Sequence, residues 1–441
     1  MTDATAHPDP ISPDDAGEDR TPAPVGDAPH VVIVGAGFGG LSCAKALGHS
    51  GLRVTIIDQR NYHLFTPLLY QVATAALSPA DITAPVRQVL SDLPNVDTVM
   101  GAVEGVDAAA RRVRLKDGGF IPYDILILAT GSMYDYFGND DWARHAPGVK
   151  TIENARTIRA SLLRAFEEAE TTADPDRRAE LLTTVVVGGG PTGVEVAGTV
   201  AELARYTLAG DFRRIDPASA RVILIEAGPS LLASFPPPLQ RYAVTALEEI
   251  GVEVRLNTKV EAIAAGVVTA GGERIVCANA VWGAGIRAAP AAAWLGVETD
   301  RQGRIAVGRD LSIPGFDRIY AIGDLARLEQ GGKPLPALAQ AATQQGVHLA
   351  HQLRRRAPRA VKAGKLKLAR FRYSSRGDTA VIGRSSAVFV VGPLHMRGGL
   401  TWMLWGFVHV YLLIGFGHPV SVAMQWIWRY LTSERGARLI E

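Results

Sequence analysis

The sequence has few cysteines. Its 441 residues include two, Cys43 and Cys277, which stand far apart in the chain. No C-x-x-C or C-x-x-x-x-C pair exists, so the pattern indicates neither a disulfide framework, a zinc site nor a dithiol redox centre. We therefore expect no bound metal ion and no dithiol chemistry.

An excess of charge of either sign is also missing. The chain has 46 basic and 44 acidic residues, which gives a formal net charge of +2. Proteins that bind nucleic acid over much of their surface are more strongly basic. The charge balance therefore argues against a nucleic-acid partner.

The N-terminal residues 1–29 lack the apolar core of a signal peptide. They combine repeated prolines with several acidic residues, a composition that predicts a disordered tail. We therefore expect the folded part of the protein to stay on the cytoplasmic side.

A strand, a glycine-rich turn, a helix and a second strand follow one another after this tail. The strand Val31–Val34 leads into a G-x-G-x-x-G turn made by Gly35, Gly37 and Gly40. Such a turn lets the backbone approach a pyrophosphate at a helix N-terminus. The second strand ends at Asp58, whose carboxylate can accept hydrogen bonds from ribose hydroxyls. The order predicts a dinucleotide site. An ordinary glycine-rich βαβ turn would leave Asp58 unexplained.

The same pattern recurs in the middle of the chain. The strand Thr184–Val187 is followed by Gly188, Gly190 and Gly193, and a later strand ends at Glu226. The acid comes later than the usual ~20 residues after the glycines, because residues 206–220 form an insertion. A second dinucleotide site is therefore predicted.

Three further turns complete the pattern. Strands are expected to end in Ala129-Thr130-Gly131, in Gly283-Ala284-Gly285 and in Gly323-Asp324. Between these turns we expect helices over 80–93 and 155–180 and a β-meander over 96–128. The fold class is α/β, with two Rossmann-like dinucleotide-binding domains, the second inserted in the first.

These motifs together resemble the two-dinucleotide-binding-domain flavoproteins, over residues 30–350. The resemblance implies that the first domain binds FAD non-covalently, through Gly35, Gly37, Gly39, Gly40, Asp58, Thr130, Gly131, Asp324 and Ala339. It implies that the second binds the nicotinamide nucleotide, through Gly188, Gly190, Gly193, Glu226 and Gly285. A carboxylate at Glu226 accepts a free 2′-hydroxyl and repels a 2′-phosphate, so NADH is expected over NADPH.

Within that superfamily, four stretches resemble the type II NADH:quinone oxidoreductases. They are Asn61–Ala73, Gly190–Glu195, Ala339–Gln344 and Ala380–Arg384, the last followed by a Trp-rich apolar tail. The resemblance implies a respiratory-chain enzyme that passes two electrons from NADH to a membrane quinone without pumping protons. The implied domains are a tail at 1–29, an FAD domain at 30–150 and 300–355, an NADH domain at 151–299 and a membrane-association region at 356–441.

The resemblance implies catalytic roles for Glu195, Gln340 and Gln344. The two glutamines lie four apart and so share one helix face, which can point at one ring. The alternative interpretation is that the two glutamines lie on a solvated helix surface. For Glu195 the alternative is an acid that stabilises a helix N-terminus. Family members often carry a lysine before the Trp-rich tail. Here the region contains His395 instead, so a lysine proton donor is in doubt.

The C-terminal region predicts membrane contact. The stretches Leu400–Phe416 and Val420–Leu431 are apolar and rich in Trp and Tyr, but the first is short for a spanning helix. We expect two helices that lie in one leaflet, with arginines at anionic headgroups. This gives a monotopic protein on the cytoplasmic face of the cell membrane. A dimer interface and a true span remain alternatives, and the family likeness suggests a homodimer.

Other functions of the same fold remain open at this point. A sulfide:quinone oxidoreductase uses cysteines beside the flavin, and a disulfide reductase needs a close cysteine pair. A soluble ferredoxin or rubredoxin reductase needs no amphipathic tail. A redox-sensing binding protein without turnover would not need the membrane end either.

Overall fold

The computed structural model describes residues 28–363, 366–413 and 438–440. The chain forms two compact units. Unit 1 comprises residues up to His63, Ala84–Met133 and Ile286–Ser375, and unit 2 comprises Leu64–Thr83, Tyr134–Gly285 and the residues from Arg376 onward. Most of the predicted N-terminal tail and the second predicted C-terminal helix, 420–431, lie outside the described residues.

The helices are α1 (Phe38–Leu47), α2 (Leu69–Ala73), α3 (Val86–Val89), α4 (Ile152–Thr171), α5 (Pro175–Leu181), α6 (Pro191–Glu202), α7 (Pro237–Glu249), α8 (Ala339–Ala363) and α9 (Gly399–Leu413). A π turn, Leu203–Thr207, extends α6. Proline occupies the first turn of α5, α6 and α7. Its missing N–H has no partner to lose at that position.

Unit 1 is built on a five-stranded parallel sheet. Its order is Ile319–Ala321, Ile125–Leu128, His30–Val34, Arg53–Asp58, Val96–Met100. The central strand, His30–Val34, is buried along its whole length, as the continuous β-branched run predicts. Smaller antiparallel or paired strands complete the unit at Val103–Asp107, Arg112–Leu115, Phe120–Pro122, Ile305–Ala306, Ala326–Arg327, Glu329–Gln330 and Lys333–Pro334.

Unit 2 repeats the plan with a four-stranded parallel sheet. Its order is Val252–Arg255, Arg221–Ile225, Thr183–Val187, Asn279–Trp282. Two three-stranded antiparallel sheets belong to the same unit, at Val260–Ala264, Val267–Ala270 and Glu273–Val276, and at Asp378–Gly383, Ser386–Val391 and Leu394–Arg397. We call the last three strands the C-terminal hairpin sheet. The remaining short strands, Tyr62–Leu64, Thr83–Pro85, Ser132–Tyr134 and Ile286–Ala288, fall where the chain passes from one unit to the other.

The prediction of an α/β fold with parallel sheets is confirmed. Unit 1 segments flank the central unit 2 segment Tyr134–Gly285 along the chain. The domain boundaries inferred from the sequence stay a prediction.

Three local expectations were wrong. In place of the helix expected over 80–93 the structure has the 3-10 helix Pro79–Ile82, the strand Thr83–Pro85 and the four residues of α3, and Pro85 prevents a continuous helix there. The stretch 155–180 forms two helices, because Asp174 caps α5 through its side chain. The meander is confined to 103–122, because Val96–Met100 and Ile125–Leu128 join the parallel sheet.

The first apolar C-terminal segment forms α9 up to Leu413. Its outer face exposes Leu400, Met403 and Phe407, at 78%, 64% and 73%. Its opposite face buries Thr401, Trp405 and His409. Among the described residues, no helix is both long enough and apolar enough to cross a bilayer.

Candidate active site

The first glycine turn, in unit 1, has the geometry that its spacing predicts. Gly35 has φ +106°, in the left-handed region, and a Cβ there would overlap the Ala129 carbonyl oxygen. A Cβ on Gly40 would overlap the carbonyl oxygen of Gly35. Nothing lies within 4 Å of a Cβ placed on Gly37. The turn therefore brings α1 close to the strand and leaves open space above its middle glycine.

Asp58, at the end of the next strand, binds the backbone of this turn through its side chain. Its Oδ2 accepts a hydrogen bond from the Ala36 N–H at 2.6 Å, and its Oδ1 accepts one from the Arg60 N–H at 2.8 Å. Each carboxylate oxygen has two lone pairs, so acceptor capacity remains for ribose hydroxyls. His63 also binds the turn, through a 2.8 Å contact of its Nδ1 with the Ala36 carbonyl oxygen.

The second glycine turn, in unit 2, repeats these contacts. Gly188 has φ +108°, and a Cβ on Gly193 would overlap the Gly188 carbonyl oxygen. Glu226 accepts from the Gly189 N–H and the Gly228 N–H, both at 2.6 Å. The two acids thus do the same structural work in both units, despite the longer gap before Glu226.

Asp324 lies beside the Ala129-Thr130-Gly131 turn. The Ser132 hydroxyl donates to the Asp324 carboxylate. The Thr130 hydroxyl oxygen is buried and makes no hydrogen bond within the described part of the chain. A buried hydroxyl without a protein partner is costly, so a polar ligand atom at this position would stabilise it. This observation fits a cofactor that lies along the carboxyl ends of the unit 1 strands.

Gln345 was not predicted from the sequence as a residue of the site. Its side chain is 2% exposed and its Oε1 accepts from the Gly323 N–H at 2.6 Å. Gly323 has φ +71°, so Gln345 holds a turn that only glycine adopts readily. No spacing rule connects a helix residue to that turn, and so no sequence signal pointed to it.

The predicted residues of α8 differ in their surroundings. Gln344 makes a two-way pair with the backbone of Ser374: its Nε2 donates to the carbonyl oxygen at 2.8 Å and its Oε1 accepts from the N–H at 3.1 Å. Gln340 and Ala339 are half-buried at the start of the helix. Gln344 therefore holds the segment that follows α8.

Glu195 sits in the second turn of α6 and is half-buried. Burial raises its pKa to about 8, and a weak hydrogen bond from the Val381 N–H, at 3.4 Å, lowers it again in part. The group is therefore mostly protonated at pH 7. A neutral carboxylic acid can donate a proton or a hydrogen bond, which an ordinary glutamate cannot.

Glu202 lies two turns further along the same face of α6. It is 7% exposed and accepts a hydrogen bond from the Arg384 N–H. Between the two acids, a Cβ on Gly198 would overlap the carbonyl oxygen of Ile382. Helix α6 therefore holds the first strand of the C-terminal hairpin sheet by two carboxylates and one close backbone contact.

The other predicted positions are also located. Gly131 and Gly285 have φ of +70° and +71°, as two similar turns require. Gly39 faces Ile322 and Ala342, so it permits close packing of α1 on α8. Gly190 has open space, as Gly37 does. His395 is exposed on the strand Leu394–Arg397.

Both cysteines are buried free thiols. Burial raises the pKa of each to about 12, so neither forms the thiolate that thiol chemistry needs. No cluster of metal-ligating side chains exists among the described residues.

Comparison with known proteins identifies the family. Residues 29–346 match the model of the pyridine nucleotide-disulphide oxidoreductases. The chain is 40% identical over 418 residues to the type II NADH:quinone oxidoreductase Ndh of Mycobacterium tuberculosis, covering 92% of this chain and 89% of the relative. A second protein of that organism, NdhA, is 40% identical over 434 residues. The chain belongs to the type II NADH:quinone oxidoreductases.

Solved structures agree on the fold of this type II NADH:quinone oxidoreductase family member. NDH2 from Plasmodium falciparum, in complex with NADH, superposes with a TM-score of 0.83 at 19% identity, over 94% of this chain and 99% of that one. The sulfide:quinone oxidoreductase from Aquifex aeolicus superposes with a TM-score of 0.68 at 20% identity, over 92% of both chains. The layout is therefore shared beyond the family, and function has to be argued from the site.

Proposed function

We propose that this chain oxidises NADH with a bound FAD and passes the two electrons to a membrane quinone without pumping protons. The observation that carries the proposal is the 40% identity to Ndh of Mycobacterium tuberculosis over nearly the whole of both chains. The two intact glycine turns with their acids support it. An enzyme that binds two nucleotides needs one such turn and acid for each of them.

Unit 1 supplies residues that fit FAD. Gly37 leaves room for the pyrophosphate, Asp58 keeps acceptor capacity for ribose, and the Thr130 hydroxyl lacks a protein partner among the described residues. When bound, the flavin supplies two-electron chemistry that no side chain here can perform. The protein binds and orients it, and Asp324 offers an acceptor to its polar chain.

Unit 2 supplies residues that fit NADH. Glu226 already accepts two backbone N–H groups, and its remaining lone pairs suit a 2′-hydroxyl. A 2′-phosphate would face this carboxylate and be repelled. NADH should therefore be used with a higher kcat/KM than NADPH. Equal efficiencies would refute this role of Glu226.

Gln340 is proposed as a ring-positioning residue, and Gln344, whose amide binds the Ser374 backbone, as a residue that supports it indirectly. Glu195 is proposed as a proton donor or positioning group for the quinone. Its raised pKa supports this, because the group stores a proton near neutral pH. Glu195→Gln should slow reoxidation of the reduced enzyme by quinone more than reduction by NADH in stopped flow. An equal effect on both half-reactions would contradict the proposal.

The exposed apolar face of α9 supports attachment to one leaflet of the cytoplasmic side of the cell membrane, and homodimerisation is proposed for the same region. Carbonate extraction and protease accessibility on both membrane faces test the topology. A C-terminus protected on the far side would contradict a monotopic protein.

The alternatives fit less well. A sulfide:quinone oxidoreductase of this layout would need reactive cysteines, and both thiols here are buried with raised pKa values. A reductase of a soluble ferredoxin would not need the apolar face of α9.

The deciding experiment combines the absorbance spectrum of the purified protein with NADH oxidation in the presence and absence of a soluble quinone. A flavin that NADH bleaches and quinone does not reoxidise would move the acceptor to a protein partner.

A further inference from the structure

A strongly basic surface lies at the C-terminal part of α8 and in the segment after it. No acidic residue occurs between Glu329 and Asp378. Among the described residues of 354–372 the exposed basic side chains are Arg354, Arg355, Arg356, Arg359, Lys367, Arg370 and Arg372. We call these seven residues the α8 basic surface. They all belong to unit 1.

These cations have no acidic partner among the described residues. None of the seven makes an ion pair with an acidic side chain in the described part of the chain. Two of them donate hydrogen bonds to neutral carbonyl oxygens, Arg354 to that of Ala46 and Arg356 to that of Lys367. By contrast, two exposed arginines of unit 2 do bind acidic side chains: Arg177 binds Glu168 and Glu180, and Arg221 binds Glu253.

A cluster of like charges destabilises itself, so an unneutralised cluster indicates an anionic partner. The chain as a whole has a net charge of only +2, so the cluster is a local feature rather than a consequence of overall composition. Arginine guanidinium groups bind phosphate oxygens in two-point geometry. The partner is therefore expected to present several phosphates on one surface.

We propose that the α8 basic surface binds the anionic headgroups of a phospholipid bilayer. A nucleic acid fits less well, because single-stranded chains are held by exposed aromatic side chains. The one aromatic residue of the stretch 354–372 is Phe371, and it is 8% exposed. The chain also presents the exposed apolar residues Leu400, Met403 and Phe407, which suit lipid.

The inference rests on the proposed membrane association and adds a second, separate attachment. One weak apolar anchor gives reversible binding, and stable attachment needs a second signal such as a polybasic surface. The α8 basic surface would make attachment depend on lipid charge and on salt. Attachment through the apolar face of α9 would depend on neither.

The test measures the partition of the purified full-length holoenzyme onto vesicles by co-sedimentation. One set is phosphatidylcholine alone, and the other is phosphatidylcholine mixed with phosphatidylglycerol. The variant carries Arg355→Gln and Arg359→Gln. The control carries Arg177→Gln and Arg221→Gln, which removes the same charge from unit 2.

Each basic residue near an anionic surface contributes about five-fold to binding. The α8 variant should therefore lose on the order of 25-fold in partition onto anionic vesicles and keep its partition onto neutral ones. The control should keep the wild-type ratio, and high salt should abolish the preference of the wild type. Neither substitution touches the proposed active site, so NADH oxidation with a soluble quinone should stay unchanged.

Equal binding of the wild type to both kinds of vesicle would overturn the inference and leave the role of α9 intact. Equal losses in variant and control would also overturn it, because net charge alone would then explain the result. If the α8 variant lost RNA binding in a filter-binding assay on the same proteins but kept its binding to anionic vesicles, the surface would be assigned to nucleic acid instead. Wild-type binding to anionic vesicles alone would support the inference and argue against the role of α9.

Discussion

The raised pKa of Glu195 predicts a specific dependence of stability on pH. Burial raises the folded-state pKa from 4.5 to about 8. Below pH 4.5 the Glu195 carboxyl group is protonated in both the folded and the unfolded chain, so it does not change the free energy of unfolding. Between these values the unfolded chain releases the proton and the folded chain keeps it. The free energy of unfolding therefore falls as pH rises.

The size of the effect follows from the shift. Each pH unit in this interval costs about 1.4 kcal/mol, so the whole interval costs up to roughly 4 kcal/mol once local relaxation is allowed for. The Glu195→Gln variant has no ionisable group at this position, so its free energy of unfolding does not fall with pH for this reason. The variant should gain stability over the wild type as the pH rises from 5 to 9, and the gain should level off above about pH 8.

Thermal and urea unfolding at several pH values would measure this difference. Glu248→Gln, on an exposed position of α7, controls for the loss of one carboxylate. A stability difference between Glu195→Gln and the wild type that stays constant with pH would refute the reasoning. It would mean that the carboxyl group ionises as it does in water.

Two further predictions concern close packing. Gly198→Ala places a Cβ against the Ile382 carbonyl oxygen, so it should cost about 1–3 kcal/mol and lower the melting temperature. Gly51→Ala, where a Cβ meets nothing within 4 Å, should leave that temperature nearly unchanged, and equal effects would contradict the packing argument. Gly346→Ala places a Cβ against the Gly39 carbonyl oxygen, so it should push α8 from α1 and weaken flavin retention in a dialysis assay. Unchanged retention would show that this helix contact does not support flavin binding.

The glycine turns could be predicted because their geometry is set by neighbouring residues. Gly35 and Gly188 take positive φ values that other residues rarely adopt, and the strands before them are continuous β-branched runs. The contact of Asp58 with the Ala36 N–H could not be predicted. It depends on the register of two strands that are distant in sequence.

The assignments on α8 show the same limit. Spacing placed Gln340 and Gln344 on one face, but it could not show that Gln344 binds Ser374 or that Gln345 holds Gly323. Helix periodicity tells which residues share a face and not what that face meets. Glu202 was missed for the same reason, since its partner Arg384 is far along the chain.

Helix α6 joins three parts of the second unit. Its N-terminus follows the nucleotide turn, its second turn carries Glu195, and its later turns hold the C-terminal hairpin sheet through Gly198 and Glu202. The hydrogen-bond partner of Glu195 is Val381, which belongs to that sheet. Because Gly198 and Glu202 set how closely the strand approaches, they also set how well water is kept from Glu195. The proton affinity of Glu195 is therefore a property of the joined helix and sheet, so the C-terminal hairpin sheet shapes the environment of this proposed catalytic group.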